Sequence, residues 1–370
     1  MNDSTMYIGL DVHKESIEIA LAPYGGGEVR HYGRIAGDLE AVDKVVLRLR
    51  KSHRVLNFVY EAGPCGYALH RHLTRKGYTC SVVAPSMIPK CSGDRIKTDR
   101  RDAIMLARLH RAGELTAVFV PSAEDEAVRD LTRSREDAVC NHRRARQQLG
   151  ALLLRQNIRY TGKSAWTLAH LRWLSEVVMP QPTQQIVFQE YLNATKETDE
   201  RVSRINEQLK VAVEGWRMAP VVDAMQALRG VSLNVAATTV AELGDITRFD
   251  NPRQLMAFLG LVPSQYSSGP RVRMGHITKT GNSHARRMLV EAAWAYHFPA
   301  KVARTLQVRQ ENQSQAVRDI AWKAQLRLCR RYQRLTAKGK TRQVVITAIA
   351  RELVGFMWAI AREVKPTAAV

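Results

Sequence analysis

The first 120 residues alternate short apolar runs with helical patterns, and this alternation restricts the fold more than any other feature of the chain. Two apolar runs, Tyr7 to Leu10 and Ile17 to Leu21, flank a polar turn and predict a β-hairpin. The elements predicted next are a helix over Leu39 to Arg50, a strand over Val55 to Tyr60, a helix near Tyr67 to Lys76 and a strand over Ser81 to Ala84. Residues 1–120 are therefore predicted to form an α/β domain.

Beyond residue 120 the patterns become helical. Charged stretches with apolar residues at helical spacing run from Ala123 to Leu154 and from Phe188 to Val213, and Pro180 and Pro182 lie between them. They predict two long helices within residues 121–215, either a helical hairpin or coiled-coil arm, or two ordinary bundle helices. The further predicted divisions are a mainly α-helical domain over residues 216–300 and a basic helical segment over residues 301–370.

The chain is strongly basic. It contains 56 Lys and Arg against 35 Asp and Glu, a formal net charge of +21. A polyanion is the usual partner of such a surface, and nucleic acid is the first candidate. A membrane is the competing partner, but the best apolar stretch, Val344 to Ile360, is interrupted by Arg351 and Glu352. We therefore expect a nucleic-acid partner and no membrane.

Cysteine usage and the N-terminal sequence indicate a reducing compartment. The five cysteines form an odd set with no CxxC pair, which predicts neither a disulfide framework nor a zinc site. The start of the chain, MNDSTMYIGL, lacks the basic and apolar regions of a signal peptide. We therefore expect a protein of a reducing cytosol.

Positive charge is concentrated towards the C-terminus. Residues 301–370 contain 15 Lys and Arg against 4 Asp and Glu. Arginines recur there at helical spacing, at Arg327, Arg330, Arg331 and Arg334. This spacing suits contacts to a nucleic-acid backbone. A solvated helix face explains any one of these arginines, but it explains the cluster less easily.

Acidic residues follow two of the predicted strands. Asp11 comes directly after the run that ends at Leu10, and Glu61 comes directly after Tyr60. A third acidic motif, Lys97-Thr98-Asp99-Arg100-Arg101-Asp102-Ala103, leads into a helical stretch. If this motif is helical, Asp99 and Asp102 share a face, where their charges repel unless a cation compensates.

These four carboxylates favour a hard divalent cation. With no His or Cys set in the pattern, the ligands suit Mg²⁺, with Mn²⁺ as the alternative. Two such ions about 4 Å apart can activate the attacking oxygen and stabilise the leaving oxygen in phosphoryl transfer. Solvated surface acids remain the alternative for each residue alone, with Asp99 and Asp102 bridging to Arg100 or Arg101.

A second candidate site lies in a glycine-rich interruption of the helical pattern, at residues 260–282. We predict a basic, glycine-punctuated loop there, with Ser267 and Ser268 directly before Gly269. A serine nucleophile that attacks a phosphodiester needs an exposed hydroxyl, nearby cations and an accessible backbone. Turn formation is the more frequent explanation of Ser-Ser-Gly. The cations predicted to hold nucleic acid here are Arg271, Arg273, Lys279, Arg286 and Arg287.

Taken together, the motifs resemble a known family. They are YIGLDVHK around Asp11, YEAGPCG around Glu61, KTDRRDA around Asp99 and Asp102, and GLVPSQYSSG with HITKTGN. They resemble the bridge-RNA-guided insertion-sequence transposases, the one-ten group with its eleven-eleven branch, over residues 5–300. The resemblance implies a ribonuclease-H-like, RuvC-like N-terminal domain with a mixed sheet, and a mainly helical C-terminal transposase domain.

The resemblance also implies roles for individual residues. Asp11, Glu61, Asp99 and Asp102 match the acidic motif that binds Mg²⁺, and Ser268 matches the serine that becomes covalently linked to DNA. Ser268 is preferred to Ser267 because the family serine directly precedes glycine. The resemblance further implies a structured guide RNA that pairs with donor and target DNA, and a homo-oligomer of two to four subunits. It also implies a cytoplasmic, nucleoid-associated protein of a bacterial or archaeal cell.

Two other functions stay open from the sequence. A Mg²⁺-dependent junction-resolving nuclease would use the carboxylates with water as the nucleophile, which leaves the serine segment unexplained. A non-catalytic nucleic-acid-binding scaffold would make the placement of the acidic residues coincidental. The sequence specifies neither the DNA sites that are joined nor whether the two sites act within one subunit.

Overall fold

The chain divides into two compact units, which we call unit 1 (Met1–Val120) and unit 2 (Pro121–Val370). The computed structural model describes residues 5–89, 98–269 and 271–367. Lys97 of the third acidic motif, Cys91 among the five cysteines and the first four residues of the chain lie outside the described residues.

Unit 1 is built on a five-stranded mixed sheet, and the sequence predicts the α/β character of this unit and four of the five strands. Its elements are β1 (Thr5–Val12), β2 (Ser16–Pro23), β3 (Arg30–Ala36), α1 (Leu39–Arg50), β4 (Val55–Glu61), α2 (Ala68–Arg75), β5 (Thr79–Val83), a 3-10 turn (Pro85–Met87) and α3 (Asp99–Ala112). The strand order is β3-β2-β1-β4-β5. Strands β1, β2 and β3 pair antiparallel, and β4 pairs parallel with both β1 and β5. The sequence analysis missed β3, because this edge strand is polar and only partly buried.

Helices cover both faces of this sheet. On one face, Ile8 and Leu10 of β1 share a buried cluster with residues of α1 and α2. On the other face, α3 packs against β1 and β2 through small side chains, which include Ala20 and Ala103. A Cβ atom at Gly9 would overlap the backbone of α3 at Ala103 and Ala107, so this glycine sets how closely the helix approaches the sheet.

Unit 2 is mainly helical and contains one β-hairpin among its described residues. Its elements are α4 (Ala123–Arg155), α5 (Leu168–Glu176), α6 (Pro182–Glu214), α7 (Ala219–Met225), α8 (Leu233–Leu243), a 3-10 turn (Ile246–Arg248), α9 (Pro252–Phe258), β6 (Pro263–Ser268), β7 (Arg271–Ile277), α10 (Ser283–Ala293), a 3-10 turn (Trp294–His297), α11 (Arg304–Gln310), α12 (Gln315–Ala337) and α13 (Arg342–Glu363).

The two long helices predicted in the middle of the chain are present as α4 and α6. They run antiparallel, as two contacts show. Arg135 Nε donates to Asn206 Oδ1 at 2.6 Å, and further along α4, His142 Nδ1 lies 3.0 Å from Thr198 Oγ1. Rising numbers in one helix meet falling numbers in the other, as antiparallel helices require. Their use as a coiled-coil arm stays a prediction.

Helix α13 lies in the core of unit 2. Its residues Ile346, Ile349 and Leu353 are buried in one cluster with residues of α7, α8, α10 and α12. By length and composition alone this helix could cross a membrane, but half of its most apolar window is buried inside the protein. Its apolar character is therefore explained by packing within a globular unit.

Candidate functional site

The first two predicted carboxylates lie at one edge of the unit 1 sheet. Strands β1 and β4 are parallel neighbours with Leu10 paired to Tyr60. Asp11 and Glu61 are the next residues of the two strands, so both stand at the carboxyl ends of adjacent parallel strands. Ligands bind preferentially at such an edge in open α/β sheets.

Helix α3 brings the other two carboxylates to the same edge. The helix begins directly after Thr98, whose hydroxyl accepts a hydrogen bond from the backbone N–H of Arg101 at 3.4 Å. Asp99 and Asp102 therefore lie in its first turn, which confirms the predicted helical spacing. The close approach of α3 to β1 at Gly9 places this turn near the end of the strand.

His13 connects the strand end to the helix. Its Nε2 atom lies 3.2 Å from Asp11 Oδ2 and 3.7 Å from Asp99 Oδ1. The Asp11 side chain is only 16% exposed, whereas Asp99 and His13 are about half exposed, at 49% and 52%. Asp11 therefore forms the buried side of the cluster, and Asp99 and His13 form the side that solvent can reach.

The pKa of Asp11 is raised above its ordinary value. Burial raises this pKa most, and the nearby charges of Asp99 and Asp102 raise it further. His13 lowers it through its charge and its hydrogen bond, but the net pKa remains above the ordinary value. Three of the four predicted carboxylates thus interact electrostatically, and Glu61 is next to Asp11 by strand register.

This donor set fits a divalent cation. One ligand atom each from Asp11, His13 and Asp99 can be chosen so that all three lie within 4.8 Å of one another. Neighbouring carboxylates that repel one another, at a site that solvent can reach, favour cation binding. His13 was not among the predicted ligands, although it stands two residues after Asp11, where the hairpin turn directs it back to the carboxylates.

The glycine-rich segment forms a β-hairpin, not the loop that the sequence predicts. Strands β6 and β7 pair antiparallel, with Ser268 opposite Arg271 and Tyr266 opposite Arg273. Ser268 is the last residue of β6, and Gly269 follows it with a φ of +58° that favours glycine. The strands escaped prediction because β6 is mostly polar and both strands are largely exposed, so the short alternation from Arg271 to Met274 marks no buried face.

The two serines lie on opposite faces of this hairpin. Side chains alternate along a strand, and residues opposite each other in an antiparallel pair share a face. The register thus gives one face with Tyr266, Ser268, Arg271 and Arg273, and another with Gln265, Ser267, Val272 and Met274. On the second face the Ser267 hydroxyl already accepts a hydrogen bond from Gln265 Nε2 at 2.8 Å. Only Ser268 shares its face with the two arginines.

The base of the hairpin is held tightly by backbone contacts. The N–H of Thr278 donates to the Val262 carbonyl at 2.9 Å, and the N–H of Lys279 donates to the Gly260 carbonyl at 3.1 Å. A Cβ atom at Gly281, whose φ is +67°, would overlap the Phe258 carbonyl. The exposed tip thus projects from a closely packed base.

Arg286 also holds this base together. Its Nη1 atom donates to the carbonyls of Leu259 at 2.9 Å and Thr280 at 2.8 Å. Arg286 was predicted to contact nucleic acid, and that role stays a prediction. The structure shows that this guanidinium already has backbone partners, so a phosphate would compete with them.

A buried carboxylate joins the base of the hairpin to the long helix α4. Glu242 on α8 accepts from Arg133 Nε at 2.7 Å and from Asn282 Nδ2 at 2.6 Å, and its side chain is 0% exposed. Asn282 also caps α10, since its Oδ1 atom accepts from Ala285 N–H at 2.9 Å. Burial by itself would raise the pKa of Glu242, but the bonds from Arg133 and Asn282 hold this pKa below its ordinary value.

The other predicted nucleic-acid residues differ in how far they are already paired. Arg287 lies 2.8 Å from Glu136 on α4. On α12, Arg327 Nε donates to Glu352 Oε2 of α13 at 2.7 Å, and Arg331 forms an ion pair with the same carboxylate at 3.0 Å. Arg330, Arg334 and Lys279 are exposed. The contacts of all these residues with nucleic acid stay predictions.

Comparison with known proteins relates both candidate sites to one family. A family model described as "Transposase" of the DEDD type matches residues 8–158, and one described as "Transposase IS116/IS110/IS902 family" matches residues 222–306. The first range contains the four carboxylates and the second contains the serine hairpin.

Individual relatives extend over nearly the whole chain. The transposase candidate y4qE of Sinorhizobium fredii is 46% identical over 98% of this chain and 90% of its own length. The transposase for insertion sequence element IS1533 of Leptospira borgpetersenii is 31% identical over 90% of this chain and 98% of its own length. The pilin gene-inverting protein of Moraxella bovis is 22% identical over 98% of both chains.

Proposed function

Because this chain belongs to the IS116/IS110/IS902 family of insertion-sequence transposases, we propose that it cuts and rejoins DNA with Ser268 as the nucleophile. The observation that carries this assignment is the hairpin register, which puts the exposed Ser268 on one face with Arg271 and Arg273. Among the residues that the structure describes, no carboxylate pairs with either arginine. Both charges are therefore available to a DNA phosphate.

In the proposed reaction, one bond to phosphorus forms as another breaks. The Ser268 Oγ forms an ester bond to phosphorus while one phosphodiester P–O bond breaks, the serine proton leaves to a base, and the released deoxyribose oxygen takes up a proton. Arg271 and Arg273 stabilise the negative charge that develops on the phosphoryl oxygens. Attack by a second deoxyribose hydroxyl reverses these steps and rejoins a strand without an external energy source.

The carboxylates of unit 1 form the proposed metal site. Asp11, Glu61, Asp99 and Asp102, with His13 beside them, would hold Mg²⁺, and Mn²⁺ has similar ligand preferences. When bound, the cation supplies positive charge that favours an attacking oxygen and a leaving oxygen in phosphoryl transfer. Burial, and after it the nearby charges of Asp99 and Asp102, raise the pKa of Asp11, and a bound cation would favour the ionised carboxylate.

Family membership and charge support two further parts of the proposal. A net charge of +21 suits a structured guide RNA together with DNA. We place the RNA and DNA contacts on the basic helix α12, and we propose a homo-oligomer of two to four subunits with contacts along α4 and α6. A DNA-rearranging enzyme of this kind would work in the cytosol, at the nucleoid.

The deciding experiment is a search for a covalent protein–DNA adduct. Purified protein is incubated with Mg²⁺, DNA of the element ends and the flanking noncoding RNA, and the products are separated on a denaturing gel. We expect an adduct with wild type and with Ser267→Ala, and none with Ser268→Ala. Cleavage without an adduct that persists in Ser268→Ala but is lost in Asp102→Ala would instead establish a nuclease that uses water.

The same gel tests the scaffold alternative. A non-catalytic nucleic-acid-binding protein would give neither cleavage nor an adduct, and Mg²⁺ would change nothing. Omission of the RNA tests the guide separately, because a loss of the adduct without RNA supports RNA dependence. An adduct of equal yield without RNA would contradict that part of the proposal and leave the serine assignment intact.

A further inference from the structure

The hairpin face that carries Ser268 also carries an aromatic ring. Tyr266 precedes Ser268 by two residues on β6, so the two side chains point to the same side. At about 3.3 Å per residue, they are about 7 Å apart along the strand. Tyr266 is 76% exposed, so most of its side chain is accessible.

A single exposed tyrosine is ordinary on a protein surface. Here its surroundings make the position informative. Tyr266 is directly opposite Arg273, and Ser268 is directly opposite Arg271, so two cations flank the ring and the hydroxyl on one face. An aromatic ring beside cationic groups is the arrangement with which proteins hold an extended nucleic-acid strand, because bases stack on the ring while cations bind phosphates.

Resting on the proposed function, we infer that Tyr266 stacks on a base of the DNA strand that Ser268 attacks. Arg273 binds a phosphate of that strand and Arg271 lies at the attacked phosphate. The strand is DNA rather than RNA in this inference because the ring shares its face with the hydroxyl that is proposed to attack DNA. Tyr266 thus acts as a positioning residue that fixes which phosphate reaches Ser268.

The opposite face of the hairpin provides a matched control. Val272 is 65% exposed and lies beside Ser267, away from Ser268. Val272→Ala and Tyr266→Ala therefore both shorten an exposed side chain of the same small sheet. A general loss of hairpin structure would affect both variants, whereas loss of a stacking platform affects only Tyr266→Ala.

The inference is tested by base stacking in solution. The probe is a single-stranded DNA oligonucleotide of the element end with 2-aminopurine beside the expected cleavage position, bound to full-length protein in the Ser268→Ala background. We expect fluorescence quenching with Tyr266 and with Tyr266→Phe. With Tyr266→Ala we expect the quenching to be lost and the affinity to fall about 5- to 100-fold, while Val272→Ala changes affinity less than about 2-fold.

Equal quenching and affinity for Tyr266→Ala and its parent would overturn the inference, as would an equal loss for Val272→Ala. Quenching that occurs with an RNA oligonucleotide of the same sequence but not with DNA would also overturn it. Because the assay is made without the serine hydroxyl, it does not depend on covalent chemistry. An adduct that persists in Ser268→Ala would contradict the proposed function separately.

Discussion

Asp11 is 16% exposed and lies beneath the first turn of a packed helix, whereas Ser268 ends a strand whose last four residues are all exposed. The carboxylate edge of unit 1 is therefore positioned by dense packing, with Gly9 admitting α3 against the sheet. The serine hairpin of unit 2 is fixed only at its base, by Gly260, Gly281 and Arg286.

This difference suits the roles that we propose for the two sites. A cation site needs ligands held in place before the ion arrives, because like charges otherwise separate. A nucleophile that must reach into a DNA strand needs an accessible hydroxyl on a projecting element. The contrast predicts that substitutions at the carboxylate edge act through stability and metal binding, and that those at the hairpin tip act on chemistry with little effect on folding.

The largest expected effect is the loss of strand joining when either the Asp11 carboxylate or the Ser268 hydroxyl is removed. Asp11→Asn and Ser268→Ala should each slow strand joining at least about 10³-fold. If the two sites act in one reaction, the double variant should be no slower than the slower single variant, because groups that act as a unit are not additive. Rates of joined product from element-end DNA measure this, with Ser267→Ala as the active control. Losses that multiply would show two independent activities.

The close packing of α3 against β1 is tested by adding one methyl group at Gly9. Gly9→Ala would drive a Cβ atom into the backbone of Ala103 and Ala107, so we expect the free energy of unfolding to fall by about 3 kcal/mol. Gly63→Ala is the control, because a Cβ atom there meets nothing closer than 3.9 Å. Chemical denaturation followed by circular dichroism measures both. A Gly9→Ala protein as stable as Gly63→Ala would show that α3 does not depend on this close approach.

The base of the hairpin is tested at Glu242. Glu242→Gln removes the charge that Arg133 and Asn282 compensate, and we expect a loss of about 2 kcal/mol, because Arg133 is 43% exposed and can regain water. Hydrogen exchange should rise at Gly281 and in β7, since Asn282 loses its partner. Glu352→Gln, which also removes an arginine-paired carboxylate, is the control and should cost about 0.5 kcal/mol. Equal losses would deny Glu242 a special part in anchoring the hairpin.

The smallest effect concerns the charge of Asp11. Its pKa is raised in the folded protein, so the stability gained from its bound proton is complete below the ordinary value of 3.8 and is lost as pH rises through the raised folded pKa. At pH 7 without metal, Asp11→Asn should therefore be more stable than wild type by about 0.5 kcal/mol. The difference should shrink towards pH 4.

Thermal unfolding over pH 4–7, with and without Mg²⁺, measures this prediction. Added Mg²⁺ should raise the unfolding midpoint of wild type but not that of Asp11→Asn, because the variant lacks a ligand. A midpoint that rises equally in both proteins would place the cation elsewhere.

The sequence by itself determined the mixed α/β character of unit 1, the two long helices and the placement of the carboxylates. Asp11 and Glu61 could be found because an acidic residue directly after an apolar run marks a strand end, and strand ends of parallel neighbours meet at one edge. Asp99 and Asp102 could be paired because their spacing needs only a helix, which α3 supplies. Both signals depend only on residues that are near one another in the sequence.

Tertiary structure decided what depends on distant partners. His13 contacts its near neighbour Asp11 locally, but it reaches Asp99 only because α3, some ninety residues later in the chain, is brought back to β1. Arg286 is engaged by the carbonyls of Leu259 and Thr280, which no spacing reveals. The hairpin β6–β7 and its two faces are set by pairing between strands with no buried side to mark them, so only the folded register separates Ser268 from Ser267.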